Sequence, residues 1–81
     1  MTYATPEEVA LAESLSFEWT VDRQRGHQFT RGSRRVWAAS YYRDGERVHG
    51  WQSADIISDD KGEKFCGHLI FDRLESALRR W

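Results

Sequence analysis

The run from Arg34 to Trp51 constrains this chain more than any other stretch. It reads Arg-Arg-Val-Trp-Ala-Ala-Ser-Tyr-Tyr-Arg-Asp-Gly-Glu-Arg-Val-His-Gly-Trp, two aromatic, arginine-bearing segments joined by Asp44-Gly45. Asp-Gly favours a type I′ turn, which needs positive φ at both central residues and joins antiparallel strands through a two-residue loop. In that register Arg43 pairs with Glu46, Tyr42 with Arg47, and so on down the ladder. One face then holds Trp37, Ala39, Tyr41 and Val48, with Gly50 opposite Ala39. The other holds Val36, Ser40, Tyr42, Arg47, His49 and Trp51. The first set is small or apolar apart from a phenol hydroxyl, so it is expected to face the core. The second mixes rings, cations and hydroxyls, so it is expected to face solvent or a partner. A slip of one residue would exchange the faces.

The segments around the hairpin fill in a small α+β fold. Thr5-Pro6-Glu7-Glu8 is a helix start: Thr5 as N-cap, Pro6 at the first helical position, and Glu8 completing a capping box. The acids suit the positive end of the helix dipole, and Val9, Leu11, Ala12 and Leu15 form a short apolar stripe. This predicts a helix over 6–15. Phe17-Glu18-Trp19-Thr20-Val21-Asp22 alternates strictly and predicts a half-buried strand over 17–22. Arg23 to Ser33 is polar with glycine breakers, and is expected to be a loop or a short hairpin arm anchored by Phe29. The central hairpin supplies strands over 34–43 and 46–53, and Ala54-Asp55-Ile56-Ile57 ends the sheet or leads out of it.

After the turn Ser58-Asp59-Asp60-Lys61-Gly62, Cys66, Ile70, Leu74, Ala77, Leu78 and Trp81 recur at spacings of three and four. This predicts a helix over 63–80, with Gly67 as its weak point at a cost of about 1 kcal/mol relative to Ala. An alternative makes Lys64–Phe71 a fourth strand and starts the helix at Asp72. The expected architecture is one domain over 1–81, in the order α-β-β-β-α. It has a three-stranded antiparallel meander sheet (four-stranded in the alternative), an N-terminal helix and a longer C-terminal helix. Double-stranded-RNA-binding domains share this order, among many others. Their basic helix start is not matched by Asp59-Asp60-Lys61-Gly62-Glu63-Lys64, and an order of elements carries no function.

The 81-residue length fits a single marginally stable domain. Four Trp, four Phe and three Tyr supply enough burial for a core without disulfide, metal or cofactor. Cys66 is alone, which excludes an intramolecular disulfide and fits a reducing compartment. No apolar run approaches the roughly 20 residues of a membrane span. Met1 to Glu8 has neither a basic nor an apolar leader region, so the chain is expected to be cytoplasmic. Arg outnumbers Lys ten to two, the bias of a GC-rich genome, and points to an actinobacterial or phage source without bearing on mechanism.

No chemistry-bearing motif stands out. There is no nucleophile elbow and no phosphate-cradling glycine loop. Cys66 and His68 are two apart and would diverge on a helix. His27, His49 and His68 lie on different expected elements without metal-ligand spacing. The expectation is a non-enzymatic protein with no catalytic residue, no cofactor and no metal site.

Binding is the remaining class. Trp, Tyr and Arg are the residues that dominate protein interfaces, and Tyr42, Arg43, Arg47, His49 and Trp51, with Arg35, form the expected partner-binding set. The expected partner is a larger protein, with this chain acting as adaptor or inhibitor, in the manner of a host-directed phage protein. The alternative is nucleic acid. Residues 1–22 carry five acids and no Lys or Arg, whereas residues 23–47 carry seven Arg against Asp44 and Glu46. Arg23, Arg25, Arg31, Arg34 and Arg35 could track a phosphate backbone while Tyr42 or Trp51 stack on bases. A net charge of −1 argues against a dominant polyanion binder. Trp81 at the chain end would cap the core or sit in a dimer interface, so a homodimer stays open.

Overall fold

A computed structural model describes residues 4–24 and 26–80. The chain begins with helix α1, Pro6–Ser14. Its start is the expected capping box: the Thr5 hydroxyl accepts from Glu8 N at 3.2 Å, and the Glu8 carboxylate accepts from Thr5 N at 2.8 Å. Its end is a Schellman turn. Phe17 N donates to Ala12 O at 2.9 Å and Ser16 N to Glu13 O at 3.0 Å. Ser16 takes the left-handed position at φ +69°, which glycine occupies without the Cβ penalty. The turn swings Phe17 back beneath the helix, where it is buried beside Ala12.

Five strands follow: β1 Glu18–Asp22, β2 Gly26–Arg31, β3 Arg34–Arg43, β4 Glu46–Asp59 and β5 Gly62–Phe71. They form one antiparallel meander in the order β1-β2-β3-β4-β5. A short helix α2, Leu74–Arg79, closes the chain. The β3–β4 hairpin has the expected register, with Arg43 opposite Glu46. Asp44 and Gly45 both take positive φ, +53° and +82°, as a type I′ turn requires.

Two expectations about the fold are corrected. The sheet has five strands rather than three or four, and the C-terminal helix spans 6 residues rather than the long segment 63–80. The polar stretch after Asp22 contains β2, because Phe29 gives it an apolar anchor opposite Val36. Residues 62–71 are a strand because β4 runs on to Asp59, past the expected end at 53, and its extension requires partners. Ile56 pairs with Phe65 and Ile57 with Lys64. A helix there would leave Ile56 and Ile57 without cross-strand neighbours and would carry Gly67 in its interior. Asp60 and Lys61 form the connecting turn, with Lys61 N bonded to the Asp59 carboxylate at 2.8 Å. The spacing of Cys66 and Ile70 is therefore not helical; the helical stripe is real only from Leu74, whose partners are Ala77 and Leu78.

The two helices cover the same face of the sheet. The core joins Ala12 and Phe17 to Phe29, Val36 and Trp51 of the sheet and to Leu74, Ala77 and Leu78 of α2. Phe29 and Trp51 meet with ring centroids 6.1 Å apart. The covered face is thus the Val36–Trp51 face, and the facing expected from the hairpin alone is reversed. The row Trp19, Phe29, Val36 and Ser53 crosses the first four strands on the helix side; the neighbouring row, Thr20, Gln28, Trp37 and Gln52, lies on the other. Each hairpin face offers one tryptophan, so the hairpin does not decide between them. The polar neighbours of Trp37 on β1, β2 and β4 do.

Gly50 sits where no side chain fits. A Cβ there would lie 2.5 Å from the Phe71 carbonyl oxygen and 2.8 Å from the Tyr41 ring. Gly50→Ala is expected to lower stability by about 1–3 kcal/mol, the usual cost of overpacking. Ser16→Gly is expected to raise it by roughly 0.5–1 kcal/mol by relieving the left-handed φ. Urea unfolding of both variants checks the two signs; a neutral Gly50→Ala would contradict the packing described here.

Candidate functional site

The helix-free face carries an aromatic cluster assembled from three strands. Trp37 of β3 meets Phe65 of β5 edge-on at 5.6 Å between centroids. His68 completes the group, 6.2 Å from each of the other two rings. A β-bulge places His68 here. Ser53 pairs with Leu69 and Asp55 with Cys66, so Gly67 and His68 together oppose Ala54. The Arg35 guanidinium lies 5.7 Å from the Phe65 centroid, in cation–π range. Its Nε is buried and has no hydrogen-bond partner. Phe65 is 43 % exposed and Ile70, further along β5, 53 %.

Beside this cluster the β3–β4 hairpin projects as an arm. The β2 ladder ends at Gln28–Trp37, whereas β3 continues to Arg43. Among the described residues, β3 from Ala38 to Arg43 is paired with β4 alone. The free side borders a notch of about 800 Å³ whose lining includes Asp22, Gln24 and His27 of the β1–β2 end, Ala38 to Ser40 of β3, and Arg47 and His49 of β4. Across the arm's helix-side surface, the Ser40 hydroxyl lies 3.3 Å from His49 Nδ1 and 3.5 Å from an Arg47 terminal nitrogen. The Arg47 guanidinium is therefore drawn over β3 towards its free edge.

On the opposite surface of the arm, Tyr41, Arg43 and Asp72 form a latch. The Asp72 carboxylate accepts from the Tyr41 hydroxyl and from Arg43 at 2.9 Å. The Tyr41 ring reaches Asp72 across Gly50, which is why that position is bare. Asp72 holds its proton less tightly than an ordinary aspartate, first because Tyr41 donates to the carboxylate and then because Arg43 does. The same hydrogen bond raises the Tyr41 phenol above 10.0, since it is made only by the protonated form. Arg43 is shifted upward, chiefly by its bond to Asp72. Arg43 and Asp72 are exposed, so the latch orients Tyr41 more than it stabilises the fold.

The expected partner-binding residues separate into three places. Tyr42, 76 % exposed, stands opposite Arg47 on the arm, near His49. Arg43 and Arg35 lie on the other surface. Trp51 is only 4 % exposed and belongs to the core beneath the helices, so it offers no contact surface. The arginines of the nucleic-acid alternative are dispersed. Arg31 donates to Leu15 O at 2.9 Å and covers the Phe17 ring at 4.6 Å. Arg34 is buried against Asp55 at 3.4 Å, and burial lowers its affinity for the proton more than Asp55 restores it. Arg23 is exposed in the β1–β2 turn. Arg25 and Trp81 lie outside the described residues.

Sequence reasoning missed Phe65, His68 and Ile70 because it preferred a helix over 63–80 to the alternative of a strand over Lys64–Phe71, and missed Trp37 because it assigned that residue to the core. The available signal was the turn cluster Asp59-Asp60-Lys61-Gly62 between two apolar runs, which is a hairpin signature. Among the described residues no group of three His, Cys, Asp or Glu could hold a metal ion, and no helix is long and apolar enough to cross a membrane. Comparison with protein-family models, with curated proteins and with solved structures returned no match.

Asp72→Asn is expected to bring the Tyr41 pKa back down towards 10.0. The wild-type latch favours folding below the ordinary phenol pKa and loses that contribution as pH rises through the raised value. A Tyr41 ring-proton titration by NMR checks the shift; an unchanged midpoint in the variant would contradict the latch.

Proposed function

We propose that this chain is a non-catalytic protein-binding module whose contact surface is the helix-free face of the sheet. The observation that carries the reading is the Trp37–Phe65–His68 cluster on a face that no helix covers. Partly exposed rings rimmed by polar side chains are the make-up of an interface centre. Gln28, Gln52 and Thr20 lie around the cluster, and Ile70 and Phe65 extend its apolar area. Arg35 adds a second support. Its guanidinium lies in cation–π range of the Phe65 ring and adds a cation to the edge of the cluster.

A protein partner fits better than nucleic acid. Phosphate tracking needs several cations aligned on one surface. Here Arg31 and Arg34 are engaged on the helix side and Arg43 is held by Asp72. The surface then acts by shape and ring contacts, as an adaptor or inhibitor would, and the Asp44-Gly45 hairpin contributes the Trp37–Tyr41 side of it.

The test compares affinity capture by wild type and a Phe65→Ser, Ile70→Ser variant from GC-rich bacterial lysate, with and without nuclease. Both positions are about half exposed, so the variant is expected to keep its circular dichroism spectrum and lose about 2 kcal/mol of stability. A defined protein held by wild type and lost by the variant supports the reading. Identical capture by both, or capture that disappears with nuclease, overturns it.

A further inference from the structure

The helix-side surface of the β3–β4 arm carries a second site, apart from the open face. We infer that Ser40, Arg47 and His49 bind one phosphoryl group, as a phosphate monoester or as free phosphate. The inference stands independently of the open-face reading, because the two surfaces lie on opposite sides of the sheet.

Cross-strand register brings the three residues together. Ser40 pairs with His49 and Tyr42 with Arg47, and both pairs point to the surface that carries Val36 and Trp51. Arg47 is therefore a diagonal neighbour of Ser40, within reach of a long side chain. Its terminal nitrogen lies 3.5 Å from the Ser40 hydroxyl, and His49 Nδ1 lies 3.3 Å from the same oxygen. A guanidinium, an imidazole and a hydroxyl thus converge on one point. All three residues are exposed and all three line the notch beside the arm, so the point opens into a concave space.

No carboxylate answers these groups. Among the described residues no acid lies within ion-pair distance of Arg47. Glu46 pairs with Arg43 on the arm's other surface, where Asp72 is held by Tyr41 and Arg43. Asp22, the one acid among the described residues that line the notch, accepts from Gln24 N at 2.7 Å in the β1–β2 turn. Arg47 touches the Ser40 hydroxyl at the limit of hydrogen-bond range and leaves the rest of its donor fork to solvent.

The donor set selects the ligand. The fork of an arginine matches phosphate oxygens, and such charge-assisted bonds are roughly twice as strong as neutral ones. Three donors on three residues suit a tetrahedral group with three free oxygens better than the two coplanar oxygens of a carboxylate. A phosphate monoester carries about −1.5 to −2 charge at pH 7. One guanidinium, and one imidazole that can take up a proton, match that charge. A nucleic-acid diester has a single charge per phosphate, and one isolated site does not track a backbone. The Ser40 hydroxyl can rotate to donate to the ligand in place of His49.

The experiment uses the full chain and NMR of the Ser40 amide, the Arg47 side-chain N–H and the His49 ring. Inorganic phosphate, a capped peptide with a central phosphoserine, and the same peptide with Ser or Glu at that position are titrated at constant ionic strength. Saturable shifts at 40, 47 and 49 are expected with the two phosphoryl ligands. The Glu peptide is expected to bind about tenfold more weakly than the phosphopeptide. Arg47→Gln is expected to weaken phosphopeptide binding about tenfold, and Ser40→Ala by less. Arg79→Gln, which removes an exposed cation paired with Glu75, is expected to leave binding unchanged. Amide shifts outside the arm check that each variant is folded. A phosphopeptide held more tightly than inorganic phosphate assigns the group to a partner protein, whereas equal affinity assigns it to free phosphate. Three outcomes overturn the inference: no saturable shift at 40, 47 and 49 with either phosphoryl ligand, equal binding of the phosphoserine peptide and either control peptide, or equal weakening by Arg47→Gln and Arg79→Gln. The open-face reading fails separately, if Phe65→Ser, Ile70→Ser captures the same proteins as wild type.

Discussion

One-sided coverage of the sheet is the constraint from which the rest follows. An α-helix rises ~1.5 Å per residue, so α1 and α2, with 9 and 6 residues, are roughly 13 and 9 Å long. A strand rises ~3.3 Å per residue, which gives the 14-residue β4 a contour of about 46 Å. Two such helices cover part of one face and nothing of the other. They settle where Phe29, Val36 and Trp51 concentrate apolar surface, and Phe17, swung back by the turn at Ser16, joins α1 to that site. The second face and the β3–β4 arm are left to solvent or to partners.

The distribution of arginine follows from this division. On the covered side, Arg31 and Arg34 finish the packing, one over the Phe17 ring and bonded to Leu15, the other buried against Asp55. Arg43 fixes the arm's outer surface through Asp72. Arg35 and Arg47 are placed differently: one lies over the Phe65 ring on the open face, the other is drawn across β3 to Ser40. Local charge in the sequence marks a basic region, but the neighbours each arginine finds decide whether it builds the fold or the surface.

The local parts of the fold were legible. Thr5-Pro6-Glu7-Glu8 specified its cap, and Asp44-Gly45 specified its turn and register, because both signals act within a few residues. What was not legible depended on partners distant in sequence. Residues 62–71 carry a helix-like spacing that only the Ile56–Phe65 pairing overrides. The hairpin has a tryptophan on each face, so its orientation is set by Phe29 and the polar residues beside Trp37, on strands the hairpin pattern does not contain. The candidate site was lost for the same reason, since Trp37, Phe65 and His68 meet only when β3 and β5 flank β4. Of the residues singled out in advance, Arg35, Tyr42, Arg47 and His49 are at least partly accessible, whereas Trp51 went to the interior.

The orientation of the sheet decides which surface is open to a partner, and the two hairpin tryptophans report on it directly. The decisive measurement is the unfolding free energy of Trp51→Ala beside that of Trp37→Ala, from urea denaturation under identical conditions. Burial of Trp51 against Phe29 predicts a loss of about 3–5 kcal/mol for Trp51→Ala, enough to unfold a marginal domain. For Trp37→Ala, whose ring is partly covered by Phe65 and His68, the expected loss is smaller, about 1–2 kcal/mol. The reverse ranking would place Trp37 in the core, expose the Trp51 face, and contradict the account.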